Sequence, residues 1–450
     1  MHEYTAETDR LAQAVIDYAR KRLQLNPVPL DGPRSYEQLH ATVGETVTPE
    51  GIGGERALAL FDEVLSKACI SVDHPRYLAF IPGAPTEAAT LFDVVVGASS
   101  IYGGSWLEGA GAVYAENQAL RWIADLAGFP AEAGGVFVQG GTLGNLSALV
   151  AARHTAMARR GGERPARWVV ACSAEAHSSI ASAARVMDVD VLAVPVDDQG
   201  RLLGSELAKA LEAHGGDDVF AVVGTGGTTN YGIVDDLAGL ADVCAERGLW
   251  LHIDGAYGLA ALAAPSRRAL FDGIERADSF IVDPHKWLFA PFDACALVYR
   301  DPRLARAAHT QTAGYLDVLT NADEWNPSDY AYHLSRRARG LPLWYSLATH
   351  GTDAYRDAIE QSLAVADAAA AEIRALSYVE LVREPMLSVV VFRRIGWTAA
   401  QYQDWSDRLL AANFAFVTPT AHDGETVTRF AIVNPRTTVA DIQAILDTMA

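Results

Sequence analysis

The sequence predicts an α/β fold: a mostly parallel central sheet flanked by helices, with a helical N-terminal segment before it and a smaller α+β region after it. Three observations carry that expectation. Between about residues 76 and 300, short apolar, β-branched runs alternate with helix-like segments, the signature of βαβ units whose strands are buried on both faces. Two of those runs lead into glycine-rich turns, GGTLGN and GTGGTTNYG. Half of the 450 residues are hydrophobic and a fifth are charged, enough to bury a large core.

Taken in chain order, residues 1–75 read as helices interrupted by a Pro/Gly-rich break, NPVPLDGPRSY. The expected strands are GVFVQ, RWVVACS, VDVLAVPVD, VFAVVG, LWLHID, SFIVD and CALVYR. Between them lie helical stretches such as GNLSALVAARHTAMARR and DLAGLADVCAERG, the second stopping at Gly248 as a helix C-terminus does. Residues 301–342 are polar and turn-rich, and a connection that long is expected to be functional or mobile, with the mobile part at about 316–340. From about residue 343 a helix pair, LWYSLATHG and DAIEQSLAVADAAAAEIRAL, precedes the strands LSVVVFRR and VTRFAIVN. The expected organisation is therefore a helical segment 1–75, a large α/β domain 76–342 and a small C-terminal domain 343–450.

Composition excludes several function classes. With 36 basic and 56 acidic residues the net charge is −20, which argues against nucleic acid or an anionic membrane as the main partner. Four scattered cysteines (Cys69, Cys172, Cys244 and Cys295) form no CxxC pair. That pattern fits neither a disulfide framework nor a zinc ribbon, and suits a reducing, cytoplasmic compartment. No apolar run reaches about 18 residues, and the charged start MHEYTAETDR is unlike a signal peptide.

Four constellations carry chemistry. In GVFVQGGTLGN a strand runs into Gly140-Gly141-Thr142, where backbone N–H groups at a helix N-terminus, with the Thr142 hydroxyl, can meet a phosphate. Neither glycine turn matches a P-loop or a GxGxxG dinucleotide motif, and a plain tight turn is the other reading of each. In LHIDGAYG, Asp254 ends a buried strand; it reads as a cofactor partner or as a helix N-cap, while a metal reading of His252 and Asp254 lacks a third ligand. In DPHKWL, Lys286 is the one lysine of four that lies among apolar residues, where burial is expected to lower its pKa and let it form a Schiff base; a snorkelling surface lysine is the alternative. In SAEAHSSI, His177 is a helix-start residue or a ring that stacks over a cofactor and touches the substrate's carboxylate. A phosphate cradle, a strand-end carboxylate and a lysine together are the three handles of pyridoxal 5'-phosphate: phosphate, pyridine nitrogen and aldehyde.

With those residues in view, the chain resembles a known family. HPRYLAFIP, GGTLGN, EAHSSI, GTT, LHIDGAYG, DSFIVDPHKWL, GYL, RRARGL and RFAIVNPRTT follow one another as in the group II pyridoxal-phosphate amino-acid decarboxylases of fold type I, over about residues 70–445. The resemblance implies that Lys286 is the Schiff-base lysine, Asp254 the pyridine-nitrogen partner, His177 the ring-stacking histidine and Ala256 the small residue under the ring. It implies that Gly141, Thr142, Asp283 and His285 lie on the phosphate side, with Thr228 a polar neighbour of the cofactor. It also implies a homodimer with the active site at the interface. Tyr315, 29 residues after Lys286 in AGYLDVL, matches the tyrosine of a catalytic loop that protonates the α-carbon after CO2 leaves, whereas related aldehyde synthases carry Phe there.

Three departures from the family pattern bear on the reaction. GAGAVYAENQAL follows Trp106 where a Ser-Pro-Ala segment is usual. Asp283 replaces the usual Asn, and an anion near a phosphate is costly unless a donor intervenes. Val72, Ile81 and Gly104 stand where rings are common, while Phe80 and Tyr102 remain, so a wider pocket for a bulky or substituted side chain is expected. Arg429 is a candidate substrate contact or a core-edge residue. The reading is decarboxylation of an aromatic or bulky neutral L-amino acid to its amine and CO2. The alternatives are aldehyde synthase, aldolase, lyase or aminotransferase chemistry on the same cofactor, and, more remotely, a nucleotide-binding protein without pyridoxal phosphate.

Overall fold

A computed structural model describes residues 2–311 and 324–450. Seven strands form the central sheet: β1 (Gly134–Val138), β2 (Val169–Ser173), β3 (Asp190–Val194), β4 (Val219–Thr225), β5 (Trp250–Asp254), β6 (Ser279–Val282) and β7 (Cys295–Tyr299). Their order is β1-β7-β6-β5-β4-β2-β3, and β7 alone runs against its neighbours. Each expected strand of this region is present. The inner ones are buried along their whole length, because helices cover both faces, while β3 at the edge exposes Asp190, Val191 and Ala193.

The two-residue period of the strands sorts side chains between two cores. Leu251, Ile253, Phe280 and Val282 enter one core; Trp250, Ile281, Cys295 and Leu297 enter the other, beneath helix α6. His252 and Asp254 share the face of Trp250, so two polar groups of β5 are aimed at that helix.

Ahead of the sheet lie α1 (Ala6–Leu23), α2 (Tyr36–Val43) and α3 (Gly54–Leu60), none of which buries a residue, then α4 (Glu87–Ser99) and α5 (Trp106–Leu126). Helix α6 (Gly141–Arg159) follows β1, α7 (Ser178–Met187) follows β2, α8 (Gly204–His214) follows β3, and α9 (Leu237–Arg247) ends on Gly248 in the left-handed conformation that glycine adopts most readily. A second, antiparallel sheet of order β10-β11-β9-β8 comprises β8 (Val379–Leu381), β9 (Val389–Arg394), β10 (Pro419–His422) and β11 (Glu425–Ala431). Helices 352–375, 399–411 and 439–447 cover it around Phe392, Trp405 and Phe430.

The long connection differs from its expected character. Pro302–His309 is a helix, capped by Asp301 with Pro at its first turn. Residues 324–340, read from the sequence as mobile loop, are packed: Asn326, Asp329, Tyr330 and Arg336 are buried. The reason is a buried ion pair, in which Arg336 donates to both oxygens of Glu116 on α5 at 2.8 and 2.9 Å and also to the Gly103 carbonyl. Among the described residues, no helix is long and apolar enough to cross a membrane.

Candidate active site

Ligands of such sheets bind outside the carboxyl ends of the parallel strands. At that edge a cavity of about 250 Å³ is lined by Gly141, Thr142 and Asn145 from α6, His177 and Ser179 from the start of α7, Thr225 at the end of β4 with Thr228 and Thr229 after it, Asp254 at the end of β5 with Ala256 after it, and Asp283, His285 and Lys286 after β6. The structure thus brings together every described residue that the sequence places around the cofactor.

At the start of α6, Leu143 and Gly144 already donate to the Gly140 carbonyl, leaving the N–H groups of Gly141 and Thr142 at the head of the helix. A Cβ at Gly141 would stand 3.1 Å from Ile281 and 3.4 Å from both Ala256 and Asp283, so glycine keeps this corner open. Asp254 is buried, with Oδ1 accepting from the Ala256 N–H at 3.2 Å and Oδ2 from Asn145 Nδ2 at 2.8 Å. His177 is the helix-start residue that one reading expected: its Nδ1 caps α7 by accepting from the Ser179 N–H; it also lines the cavity.

Lys286 corrects an expectation. Burial alone would lower its pKa, but Asp283 lies one turn away with Oδ2 3.0 Å from Nζ, and with Asp254 and Cys295 it raises the pKa above the ordinary lysine value. The same contact supplies the donor that a carboxylate beside a phosphate cradle requires. Burial lowers the His285 pKa, and its Nδ1 contacts the Ala294 carbonyl at 2.7 Å. Two buried oxygens, Asp283 Oδ1 and Thr225 Oγ1, have no hydrogen-bond partner among the described residues. Thr228 Oγ1, by contrast, accepts from the Ile233 N–H at 3.1 Å inside its own turn.

The residues expected on the substrate side do not gather at this cavity. Ile81 is buried, Tyr102 donates to the Leu334 carbonyl at 3.0 Å, and Arg429 donates to the Phe80 carbonyl at 2.9 Å, with burial lowering its pKa to about 10. Gly104 does not widen a pocket. A Cβ there would collide with the Tyr102 ring and the Leu334 carbonyl, so the missing side chain makes room for Tyr102. Phe80 is 57% exposed. Tyr315 lies outside the described residues. The sequence reading missed Ser179 and Thr225, and saw Asn145 only as part of a turn, because nothing local distinguishes them from ordinary helix and strand residues.

The profile described as the pyridoxal-dependent decarboxylase conserved domain matches residues 56–395. The chain belongs to that family. An aromatic-L-amino-acid decarboxylase of Bacillus atrophaeus is 31% identical over 416 residues, covering 89% of this chain and 86% of the relative. An L-2,4-diaminobutyrate decarboxylase of Rhizobium meliloti (strain 1021) is also 31% identical, covering 88% and 81%. The crystal structure of Oryza sativa TDC with PLP and tryptamine superposes with a TM-score of 0.91 over 100% of this chain and 99% of that one, at 24% identity, a likeness of fold.

The enzyme is therefore a pyridoxal-phosphate-dependent amino-acid decarboxylase. Its cavity fits that cofactor on its own terms. It offers an amine at Lys286, a carboxylate at Asp254, a helix N-terminus opened by Gly141, and two buried oxygens, on Asp283 and Thr225, left without partners among the described residues.

Proposed function

We propose that the enzyme decarboxylates an aromatic or bulky neutral L-amino acid to its amine and CO2. The observation that carries the substrate class is an exposed ring beside the cavity. Phe292 is 57% exposed, and its ring centroid lies 4.8 Å from that of His285, which lines the cavity. Exposed rings favour flat apolar partners. Lys286, already engaged by Asp283, is the cation of the described lining, which contains no arginine to greet an acidic side chain.

Pyridoxal phosphate supplies an aldehyde that can bond to an amine and a pyridine ring that takes up the electron pair left when CO2 departs. Lys286 would supply the amine that holds the cofactor, and Asp254 would hold a proton at its ring nitrogen. Gly141, Thr142 and His285 would take the phosphate, with Asp283 held beside them by Lys286. Thr228 would shape the turn near the ring, and Ala256 would leave room for it. His177 would stack on the ring and orient the substrate carboxylate. Tyr315 delivers the proton to the α-carbon, which favours amine over aldehyde as product.

A homodimer completes this reading. Leu91, Val94 and Val95 on α4 and Leu107 and Tyr114 on α5 are large apolar residues left exposed on one chain. Sedimentation should give twice the chain mass, and a monomer at micromolar concentration would contradict it.

The substrate class is tested by screening the twenty L-amino acids, several substituted aromatic ones and 2,4-diaminobutyrate for CO2 and amine release. Aromatic substrates should lead. A preference for 2,4-diaminobutyrate, histidine or an acidic amino acid would overturn the assignment, and equal yields of aldehyde and peroxide would overturn the reaction.

A further inference from the structure

Behind the cavity runs a continuous line of buried polar side chains with no place in the chemistry above. Trp250 Nε1 donates to Ser279 Oγ at 2.9 Å, and Ser279 Oγ lies 2.8 Å from His252 Nδ1. His252 Nε2 lies 2.9 Å from Asn145 Oδ1. The two hydrogens of Asn145 Nδ2 serve two further partners, Asp254 Oδ2 at 2.8 Å and Ser179 Oγ at 2.9 Å. Ser179 Oγ in turn lies 2.9 Å from His177 Nδ1. Asn145, Ser179, His252 and Ser279 are all at least nine-tenths buried, so each must be satisfied within the protein.

The direction of every hydrogen follows from its neighbours. A carboxylate only accepts, so the Asn145 amide nitrogen faces Asp254 and its oxygen faces His252. His252 therefore carries its hydrogen on Nε2 and accepts the Ser279 hydroxyl at Nδ1. It is wholly buried and stays neutral, its pKa lowered by desolvation to about 3. On the other branch, His177 Nδ1 already accepts the Ser179 N–H, at 3.2 Å, so it bears no hydrogen. Ser179 then donates its hydroxyl to that nitrogen and accepts from Asn145.

We propose that Asn145 is a positioning residue whose one carboxamide fixes the rotamer of Asp254 and, through Ser179 Oγ, the orientation of the His177 ring, whose hydrogen sits on Nε2. It ties the carboxylate on one side of the cavity to the imidazole on the other. The titratable and charged groups around it are Asp254 and His252 from β5, His177 at the start of α7, Asp283 and Lys286 after β6, and Cys295 on β7. The proposal rests on the assignment of Asp254 and His177 to the two sides of the cofactor.

The test begins with cofactor-free protein carrying 15N-labelled histidine. Wild type should show His177 with a bare Nδ1 and a hydrogen on Nε2; a hydrogen on Nδ1 overturns the proposal. Ser179→Ala keeps the backbone N–H donor and so the bare Nδ1, but loses the hydroxyl link to Asn145, and the His177 ring signals should broaden; signals as sharp as in wild type overturn the proposal. Lost outer partners typically cost on the order of 10–100-fold in affinity or activity. Asn145→Asp keeps the shape but sets two carboxylates in contact. Pyridoxal phosphate should therefore bind it about 10–100-fold more weakly at neutral pH, recovering as the pH falls and one carboxyl takes a proton.

A purely structural Asn145 would bind the cofactor equally at both pH values, and that result overturns the proposal. If Asn145→Asp does not fold, the His177 ring signals in wild type and in Ser179→Ala decide alone. Asp254→Asn separates the two levels: unchanged cofactor affinity there sinks the cofactor assignment, whatever the His177 tautomer.

Discussion

The cavity floor and the segments around Phe80 and Tyr102 are held by different means. On the floor, Asp254 is the last residue of β5, Gly141 follows β1 by three positions and Lys286 follows β6 by four. Each is placed by the strand it ends or follows. Away from the cavity lining, Tyr102 is held by a carbonyl 232 positions away and Phe80 by a side chain 349 positions away. A site grown from strand ends is written locally in the chain; a contact made by long-range closure is not. Changes on the floor should accordingly alter cofactor retention and the reaction, and changes around Tyr102 should alter local stability.

The largest effect that can break this division comes from the loop segment. Tyr315→Phe should lower amine formation by about 10²–10⁴-fold, the usual worth of a positioned acid, and divert flux to aldehyde, while cofactor binding is unchanged. Amine and aldehyde are quantified together; unaltered amine output would remove Tyr315 from the reaction.

A second test concerns the floor. His252 remains neutral in the folded protein down to about pH 3, whereas an unfolded histidine takes up a proton near about pH 6.5. Its contribution is complete above about 6.5 and is lost as the pH falls toward 3, because the unfolded state then binds the extra proton. The loss is about 1.4 kcal/mol per pH unit. Denaturant melts of wild type and His252→Gln at pH 7, 6 and 5 should show the variant with the shallower acid slope. Parallel slopes would mean that His252 is not buried as described.

The smallest expected effect is beside Tyr102. Gly104→Ala forces a methyl group into the Tyr102 ring and should cost about 1–3 kcal/mol of stability, the usual range for overpacking, without enlarging the range of substrates. A fully stable Gly104→Ala enzyme with a narrowed substrate range would restore the wide-pocket reading.

The same contrast explains what the sequence made legible. All seven strands of the main sheet are legible as short apolar, β-branched runs bounded by turn or helix signals. Strands β8 and β10, three and four residues long, fall below any period. The helix 302–309 was missed although Asp301 and Pro302 form a capped first turn, because the surrounding polarity suggested a loop. The raised Lys286 pKa was missed because its cause is one side chain three positions away, whose orientation only the turn after β6 fixes. Arg336 read as one more arginine of a polar tract, yet it is buried against Glu116, a partner 220 positions distant.

The central claim is that Lys286 bonds to the cofactor at a cavity floor shaped by strand ends. Borohydride reduction of the holoenzyme followed by peptide mass mapping tests it directly. The pyridoxyl mass should appear on the peptide containing Asp283-Pro284-His285-Lys286, and Lys286→Ala should lose both that tag and turnover. A tag on Lys21, Lys67 or Lys209, or an untagged Lys286 peptide from fully loaded enzyme, would contradict the account.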